Sequence, residues 1–349
     1  MRDKVLSFLQ NEIDLEHIPG AVIQISHQSR TILQEAIGSR VVYPEKAPMN
    51  INTVFDLASL TKIVATLPTI LKLMEEGAIR LDDTITSFFP EFGVNGKDEI
   101  RVVHLLTYTS GLRAHKPYFL EALKAEQVFK AIVEDQLVAP VGEKVIYSDL
   151  GFIILYKLIE KLTDQPFEDF VRKNIFDPLE MKETSFNPTF PRERYAATEF
   201  NEALKDYKHG IVHDDNTEFM GGISGHAGLF STIDDLANYF SMIEQDGVYN
   251  GKQLLSKVST QLARENFTPF DKTEYRGLGW ILKGPRNSSC GDFFSPKSYG
   301  HTGFTGTSVW FDPEAELRVI LLTNRVHYGR KDPIIRLRPR LHNVIRAYL

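Results

Sequence analysis

Within LASLTKIV, residues 57–64, a serine at position 59 precedes a lysine at position 62. Three residues make about one helical turn, so the two side chains share a face. A hydroxyl is a weak nucleophile until a base draws its proton, and a lysine that burial has stripped of its own proton is such a base. TVFDLAS reads as extended and the helical pattern begins at or just after Ser59, which places the serine at a helix amino terminus, where free N–H groups favour developing negative charge. The same pair also fits a capping serine and a solvated helix lysine. Spacing alone does not choose, since about one Ser-x-x-Lys arises by chance in a chain of this length. A second group of reactive types, HGIVHDDNTEFMGGISGHAGLFST at 209–232, gathers His213, Asp214 and His226 in a glycine-rich stretch without periodicity. Histidine and aspartate are good metal ligands, but there is no His-x-x-x-His on a helix and no cysteine partner, and His213 beside Asp214 is too short a spacing to specify a site.

Three further stretches follow in order: VVHLLTYTSGL at 102–112, VIYSDLGFIIL at 145–155 and YGHTGFTG at 299–306. Together with LASLTKIV they resemble the serine β-lactamase and penicillin-binding protein superfamily, whose signature is Ser-x-x-Lys, then Tyr-x-Asn or a variant, then Lys/His-Thr-Gly. Within it the chain is similar to the class C β-lactamase-like branch, which also holds family VIII esterases, D-aminopeptidases and DD-peptidases. The resemblance runs from about Ile18 to Thr323. It implies that Ser59 is the acylating nucleophile, Lys62 the base, and Tyr147 a phenol that shares protons with the nucleophile and the leaving group. Without the flanking motifs Tyr147 would read as a packing aromatic. The resemblance further places His301, Thr302 and Gly303 on a strand opposite Ser59 and implies an oxyanion hole made by the N–H groups of Ser59 and Phe304.

Histidine in place of lysine at 301 is expected to keep a donor there whose charge depends on pH; the alternative is an edge-strand histidine satisfied by its neighbours. Asp149 departs from the usual asparagine. An aspartate there sets a negative charge beside Lys62, favours its ammonium and makes antibiotic hydrolysis a weaker expectation; alternatively it caps the helix of the LGFIIL run. The 209–232 stretch is similar to the VHDxN and GGxxGHAGLFST segments of penicillin-binding-protein-like hydrolases encoded beside peptidoglycan-recycling enzymes, including N-acetylmuramyl-L-alanine amidases. That likeness implies a loop on the cleft rim, with His213, Asp214 and His226 fixing the loop or touching substrate.

The elements that must position these groups are legible in part. After an amphipathic amino-terminal helix with Val5, Phe8, Leu9 and Ile13 on one face, GAVIQISHQ and RTILQEAIG read as a β-hairpin. GLGWILKG, TSVWFDP and LRVILLTN read as three more antiparallel strands. PIIRLRPRLHNVIRAYL spaces Ile334, Leu337, Leu341, Val344, Ile345 and Tyr348 as a helix whose apolar stripe packs on the sheet and whose arginines face water. Between the ends, from about Leu60 to Gln261, the periods are helical, in LTKIVATLPTILKLMEEG, LGFIILYKLIEKLTD, FEDFVRKNI and IDDLANYFSMIEQDG, punctuated by Gly77, Gly151 and Gly247. The expected fold is α+β: an antiparallel five-stranded sheet flanked by the terminal helices, with a mostly helical region inserted, a β-lactamase/transpeptidase-like arrangement. Residues 1–60 and 270–349 would form the sheet domain, 61–269 the helical insert, and the site would lie at their interface.

Of 349 residues, 42% are hydrophobic and 25% charged, which excludes disordered and fibrous classes. A net charge of -6 supplies no global basic field for nucleic acid or anionic membrane, so a small-molecule or short-peptide substrate is expected. The single cysteine, Cys290, has no internal partner and reads as a structural or incidental thiol. The first twenty residues lack the apolar core of a secretory signal, and no stretch approaches the roughly 20 apolar residues of a membrane span, so the default compartment is the cytoplasm, although a secreted chain trimmed of its signal would read alike. The expectation is a serine hydrolase acting through an acyl-enzyme on an amide or ester, without metal or organic cofactor. The favoured substrate is a peptidoglycan-derived or D-amino-acid-containing peptide amide; a promiscuous carboxylesterase or β-lactamase is the near alternative, and a penicillin-binding scaffold without turnover the rival of another class.

Overall fold

A computed structural model describes residues 1–286 and 288–349. Its main sheet is wholly antiparallel and runs, in spatial order, Tyr275–Arg276, Ile281–Leu282, Tyr299–Thr302, Ser308–Asp312, Leu317–Thr323, Gly20–His27, Arg30–Val41 and Ala47–Pro48. It has eight strands where five were expected. Tyr299–Thr302 is the strand that carries the His-Thr-Gly motif, and two-residue ribbons extend both edges. The GLGWILKG run contributes only Ile281–Leu282, because Gly277 N–H bonds the Trp280 carbonyl and turns the chain before it.

Gly20–His27 is buried along nearly its whole length because both faces are covered. Ala21, Ile23 and Ile25 point to one side, where Val5 and Leu9 of helix Arg2–Asp14 meet Ile334, Leu337, Leu341 and Ile345 of helix Pro333–Ala347. Val22 points to the other, into the large core of the middle region. The arginines of the last helix do not all face water: Arg338 is buried, 6% exposed, and Tyr348 is exposed instead of packed.

The long helical periods of the middle become helices Leu67–Glu75, Asp149–Thr163 and Ile233–Glu244. Gly77 and Gly247 follow helices with positive φ, whereas Gly151 lies inside Asp149–Thr163, where a Cβ would meet Leu105 at 3.5 Å. A second small sheet pairs Phe55–Asp56 with Leu229–Ser231, which also pairs Ser185–Phe186. It delivers the chain to Ser59. No helix among the described residues is long and apolar enough to cross a membrane.

Candidate active site

Ser59 is set up by the four residues before it. Phe55–Asp56 ends in a buried carboxylate that accepts the Ala58 N–H at 2.8 Å and the His213 N–H at 2.6 Å. Burial raises the Asp56 carboxyl above its ordinary value, against the pull of those two donors. Ala58 has a φ of 46°, a left-handed conformation that L residues adopt only under constraint, and Ser59 follows in a 3-10 turn, Ala58–Leu60. The chain then makes a π-turn over Lys62–Thr66 before the α-helix.

Lys62 has no exposed surface. Its Nζ lies 3.1 Å from Ser59 Oγ, 2.7 Å from Asp149 Oδ1 and 3.2 Å from the His226 carbonyl oxygen. Three acceptors, one of them a carboxylate, fit the three protons of an ammonium. Nζ also stands 4.9 Å from the Tyr147 ring centroid.

Tyr147 and Asp149 enter at the start of helix Asp149–Thr163. Ser148 is the N-cap residue and its hydroxyl donates to the Arg113 carbonyl at 2.7 Å, while the Asp149 N–H donates to Ala114 at 3.0 Å. Asp149 is therefore the first helical residue, spent on Lys62 rather than on capping. The same pinning brings His115, which no motif had singled out, to the other carboxylate oxygen, Nδ1 to Oδ2 3.9 Å. Burial would raise the Asp149 carboxyl, but the Lys62 ammonium on one side and His115 on the other hold it below the usual carboxylate range. Contact with Asp149 in turn raises His115, against a smaller opposing effect of burial. The Tyr147 ring stacks on Tyr108 at 4.8 Å. Burial, then the Asp149 charge, pushes its phenol well above the ordinary value, against the Ser59 hydroxyl and Arg276. Arg276 is a second residue that sequence reasoning missed: a buried guanidinium 5.0 Å from the Tyr108 ring and 5.6 Å from that of Tyr147.

His301 is on the strand expected for it, but it is no cleft donor. Its Nδ1 is 2.9 Å from the Thr302 carbonyl, which can only accept, so Nδ1 carries the proton and Nε2, 3.3 Å from Tyr108 Oη, accepts the phenol. Burial first, then the charges of Lys62 and Arg276, push it well below its ordinary value and keep it neutral. Thr302, half-buried, pairs with Ser308, and the chain turns at 303–307. That turn is stitched to the segment preceding Ser59: Thr305 Oγ1 donates to the Asp56 carbonyl at 2.7 Å and Thr307 Oγ1 to the Leu57 carbonyl at 3.0 Å. Gly303 permits the approach, since a Cβ would stand 2.5 Å from the Leu57 oxygen. Among the described residues, the Ser59 and Phe304 N–H groups have no backbone acceptor.

The 209–232 segment brings His213, Asp214 and His226 to the cleft wall. His213 is buried, its Nε2 3.0 Å from Glu199 Oε2 and its ring stacked 5.6 Å from Phe304. Asp214 caps the short helix Asp215–Phe219 through the Thr217 N–H at 2.7 Å and also meets His226 Nε2 at 3.1 Å. His226, 1% exposed, is held by Ser224 at 2.8 Å on its other nitrogen, and so its carbonyl is aimed at Lys62. Among the described residues no group of three or more His, Cys, Asp or Glu has an arrangement that could hold a metal ion.

Ser59, Tyr147, Asp149, His115, His213, Asp214, His226 and Phe304 line one cleft of about 310 Å³, closed by Ala58, Phe119, Asp215, Ala227 and Arg330. His301 stands behind this wall.

An antiparallel sheet under terminal helices, with a Ser-x-x-Lys whose serine lines the cleft and whose lysine is buried, facing a tyrosine and a His-Thr-Gly strand, defines a protein of the β-lactamase and penicillin-binding type. The family model described as Beta-lactamase matches residues 8–342, and the chain belongs to that family. Among relatives, the Salmonella agona protein named "Putative D-alanyl-D-alanine carboxypeptidase" is 32% identical over 93% of this chain and 83% of its own length. The "N-acetylmuramyl-L-alanine amidase" of Bacillus subtilis is 32% identical over 90% of this chain and 79% of its own. Among solved structures, "EstCE1, a hydrolase with promiscuous acyltransferase activity" superposes with a TM-score of 0.80 over 99% of this chain and 98% of its own; at 21% identity it shows the fold alone.

Proposed function

We propose that the chain is a serine hydrolase that forms an acyl-enzyme on Ser59. The observation that carries this reading is the 3.1 Å contact of the buried Lys62 Nζ with Ser59 Oγ, at a cleft lined by Ser59 and by Phe304, whose N–H groups have no backbone acceptor among the described residues. Ser59 Oγ attacks the carbonyl carbon, and the Ser59 and Phe304 N–H groups receive the oxyanion. Tyr147, kept protonated by burial, takes the Ser59 proton as it gives its own to the leaving group, and so remains a neutral phenol throughout. Lys62, with three acceptors around it, supports charge on Ser59 Oγ as an ammonium; this role replaces the proton acceptor that the resemblance implied. Water then enters by the reverse path and frees the product.

The substrate class we favour is an amide of a peptidoglycan-derived or D-amino-acid-containing peptide. The names of the Salmonella and Bacillus relatives, which both point to cell-wall peptides, support it. The division into 1–60 with 270–349 and 61–269 is part of the same proposal, since it sets the cleft between the 299–307 strand and turn on one side and the start of helix Asp149–Thr163 on the other. The test is a panel of p-nitrophenyl esters, a chromogenic cephalosporin, D-amino-acid amides and a muropeptide, run with wild type and Ser59→Ala. Sustained turnover lost in Ser59→Ala, together with fluorophosphonate mass on the peptide containing Ser59, is expected. A single burst without turnover would support a scaffold, and turnover surviving Ser59→Ala would end the proposal.

A further inference from the structure

We propose that Arg338, on the carboxy-terminal helix, is a positioning residue for this reaction: its guanidinium bonds the carbonyl of the very peptide group whose N–H is that of Phe304, and so aims and strengthens an oxyanion donor. The inference rests on the reading of Ser59 and Phe304 given above.

Arg338 Nη2 donates to the Gly303 carbonyl at 2.9 Å and to the Thr307 carbonyl at 2.8 Å. The turn between them closes on itself, Gly303 N–H to Thr307 O at 2.7 Å and Gly306 N–H to Gly303 O at 3.1 Å, so the guanidinium caps both of its ends. Gly303 O and Phe304 N are the two poles of one amide. A cation on the oxygen draws electron density from the nitrogen and makes its N–H a stronger donor, and it fixes the plane in which that N–H points. Arg325 treats the next peptide alike: Nε donates to the Phe304 carbonyl at 2.8 Å and the guanidinium lies 4.6 Å from the Phe304 ring. The Thr305 and Thr307 bonds to Asp56 and Leu57 then refer this clamped turn to Ser59.

A structural clamp alone would not explain the charge. Arg338 is buried and, among the described residues, has no carboxylate partner and no hydrogen-bond partner at its Nε. Burial, then the charge of Arg325, pushes it down to about 9, a sign of how unfavourable an unpaired cation is at this place. A cation kept there in spite of that cost sits directly behind the amide that would meet a developing negative charge.

The experiment uses the full chain with Arg338→Lys and Arg338→Met, active sites counted with a fluorophosphonate and folding followed by thermal melts. The readout is kcat/KM on p-nitrophenyl acetate and on its thiono analogue, whose sulfur accepts hydrogen bonds poorly and so gains little from an oxyanion donor. Deleting a donor outright costs about 10²–10³ in rate. Weakening one through Arg338→Met is expected to slow the oxygen ester by about tenfold and the thiono ester by less than about threefold, with Arg338→Lys between wild type and Met. Oxygen and thiono rates that fall in equal proportion, or that do not fall, overturn the proposal and leave a clamp. Should Arg338→Met fail to fold, the same comparison in Arg338→Lys decides. If Ser59→Ala abolishes turnover while the ratio stays unchanged, only the Arg338 proposal falls; if Ser59→Ala keeps turnover, both do.

Discussion

Replacing Asp149 with asparagine keeps the shape of the side chain and one acceptor oxygen but removes the charge facing Lys62. Nζ and Oδ1 are 2.7 Å apart, and at an effective dielectric near 20 the Coulomb attraction over that distance is about 6 kcal/mol. Desolvation of the fully buried ammonium cancels much of it, and breaking a buried pair by removing one partner costs about 3–5 kcal/mol. Asp149 keeps 21% of its side chain exposed, and asparagine still accepts a hydrogen bond, so a loss of about 2 kcal/mol is expected at pH 7. The sign with pH follows from the depressed carboxyl. A group that titrates lower when folded than its unfolded value of about 3.9 contributes fully above about pH 5 and progressively less as pH falls below that. Urea unfolding of wild type and Asp149→Asn should therefore differ by about 2 kcal/mol at pH 7 and by about 1 kcal/mol less at pH 3. The same substitution should return His115, observed by NMR titration, toward about 6.5, because contact with Asp149 is the largest cause of its upward displacement. Equal stability at pH 7, or a gap that does not narrow on acidification, would refute the claim that this pair is a stabilising ion pair.

Tyr147→Phe keeps the ring that stacks on Tyr108 and faces Lys62, so its melting temperature should stay close to wild type while kcat falls by about 10²–10⁴; kcat near wild type would remove the phenol from the proton path. A limb of the rate profile above the ordinary histidine value of about 6.5 is expected from His115, raised by Asp149 and lining the cleft, and not from the buried neutral His301. His115→Gln should abolish that limb, and a limb that survives there but vanishes in His301→Gln would reverse the assignment.

Which parts of this site could be read from sequence depends on the range over which each was determined. Ser59 and Lys62 are three residues apart, and local helical geometry alone brings them together. Tyr147 and the His-Thr-Gly strand are remote, and only the order of motifs pointed to them. The terminal strands are legible as β-rich runs set off by turns, but Tyr299–Thr302 is four residues with a glycine and a histidine, too short to stand out, and the two-residue edges leave no signal. Amphipathic periodicity places Arg338 in water, because it sets charge away from the apolar stripe. Its true partners, the Gly303 and Thr307 carbonyls, are 35 and 31 residues away, and no local pattern reports them. By residue type His301 reads as a pH-sensitive donor, whereas its tautomer comes from Thr302 and Tyr108 and its neutrality from burial first, then from the charges of Lys62 and Arg276. His115 lies just past the quoted TSGL stretch, and nothing in its own neighbourhood marked it; the Ser148–Arg113 bond that brings it to Asp149 is a tertiary contact.

The buried cations share one logic. Lys62, Arg276, Arg325 and Arg338 are each under 8% exposed, and all lie around the segments that carry Ser59, Tyr147 and Phe304. Only Lys62 has a carboxylate held against it inside the site; Arg338 and Arg325 lean on backbone carbonyls and Arg276 on aromatic faces, with the half-exposed Glu274 as its acid partner. The cleft wall itself is lined by Asp149, Asp214, Asp215 and imidazoles, and its one arginine, Arg330, is bound to Glu199 and Asp215. On the proposed reading, positive potential for an oxyanion comes from behind the backbone, where water cannot screen it. Substrate meets a different surface, polar and balanced in charge. Catalytic electrostatics and recognition are thereby carried largely by different residues, so substitutions at Phe119 or Arg330 should alter which acyl and leaving groups fit while the machinery at Ser59 stays as it is.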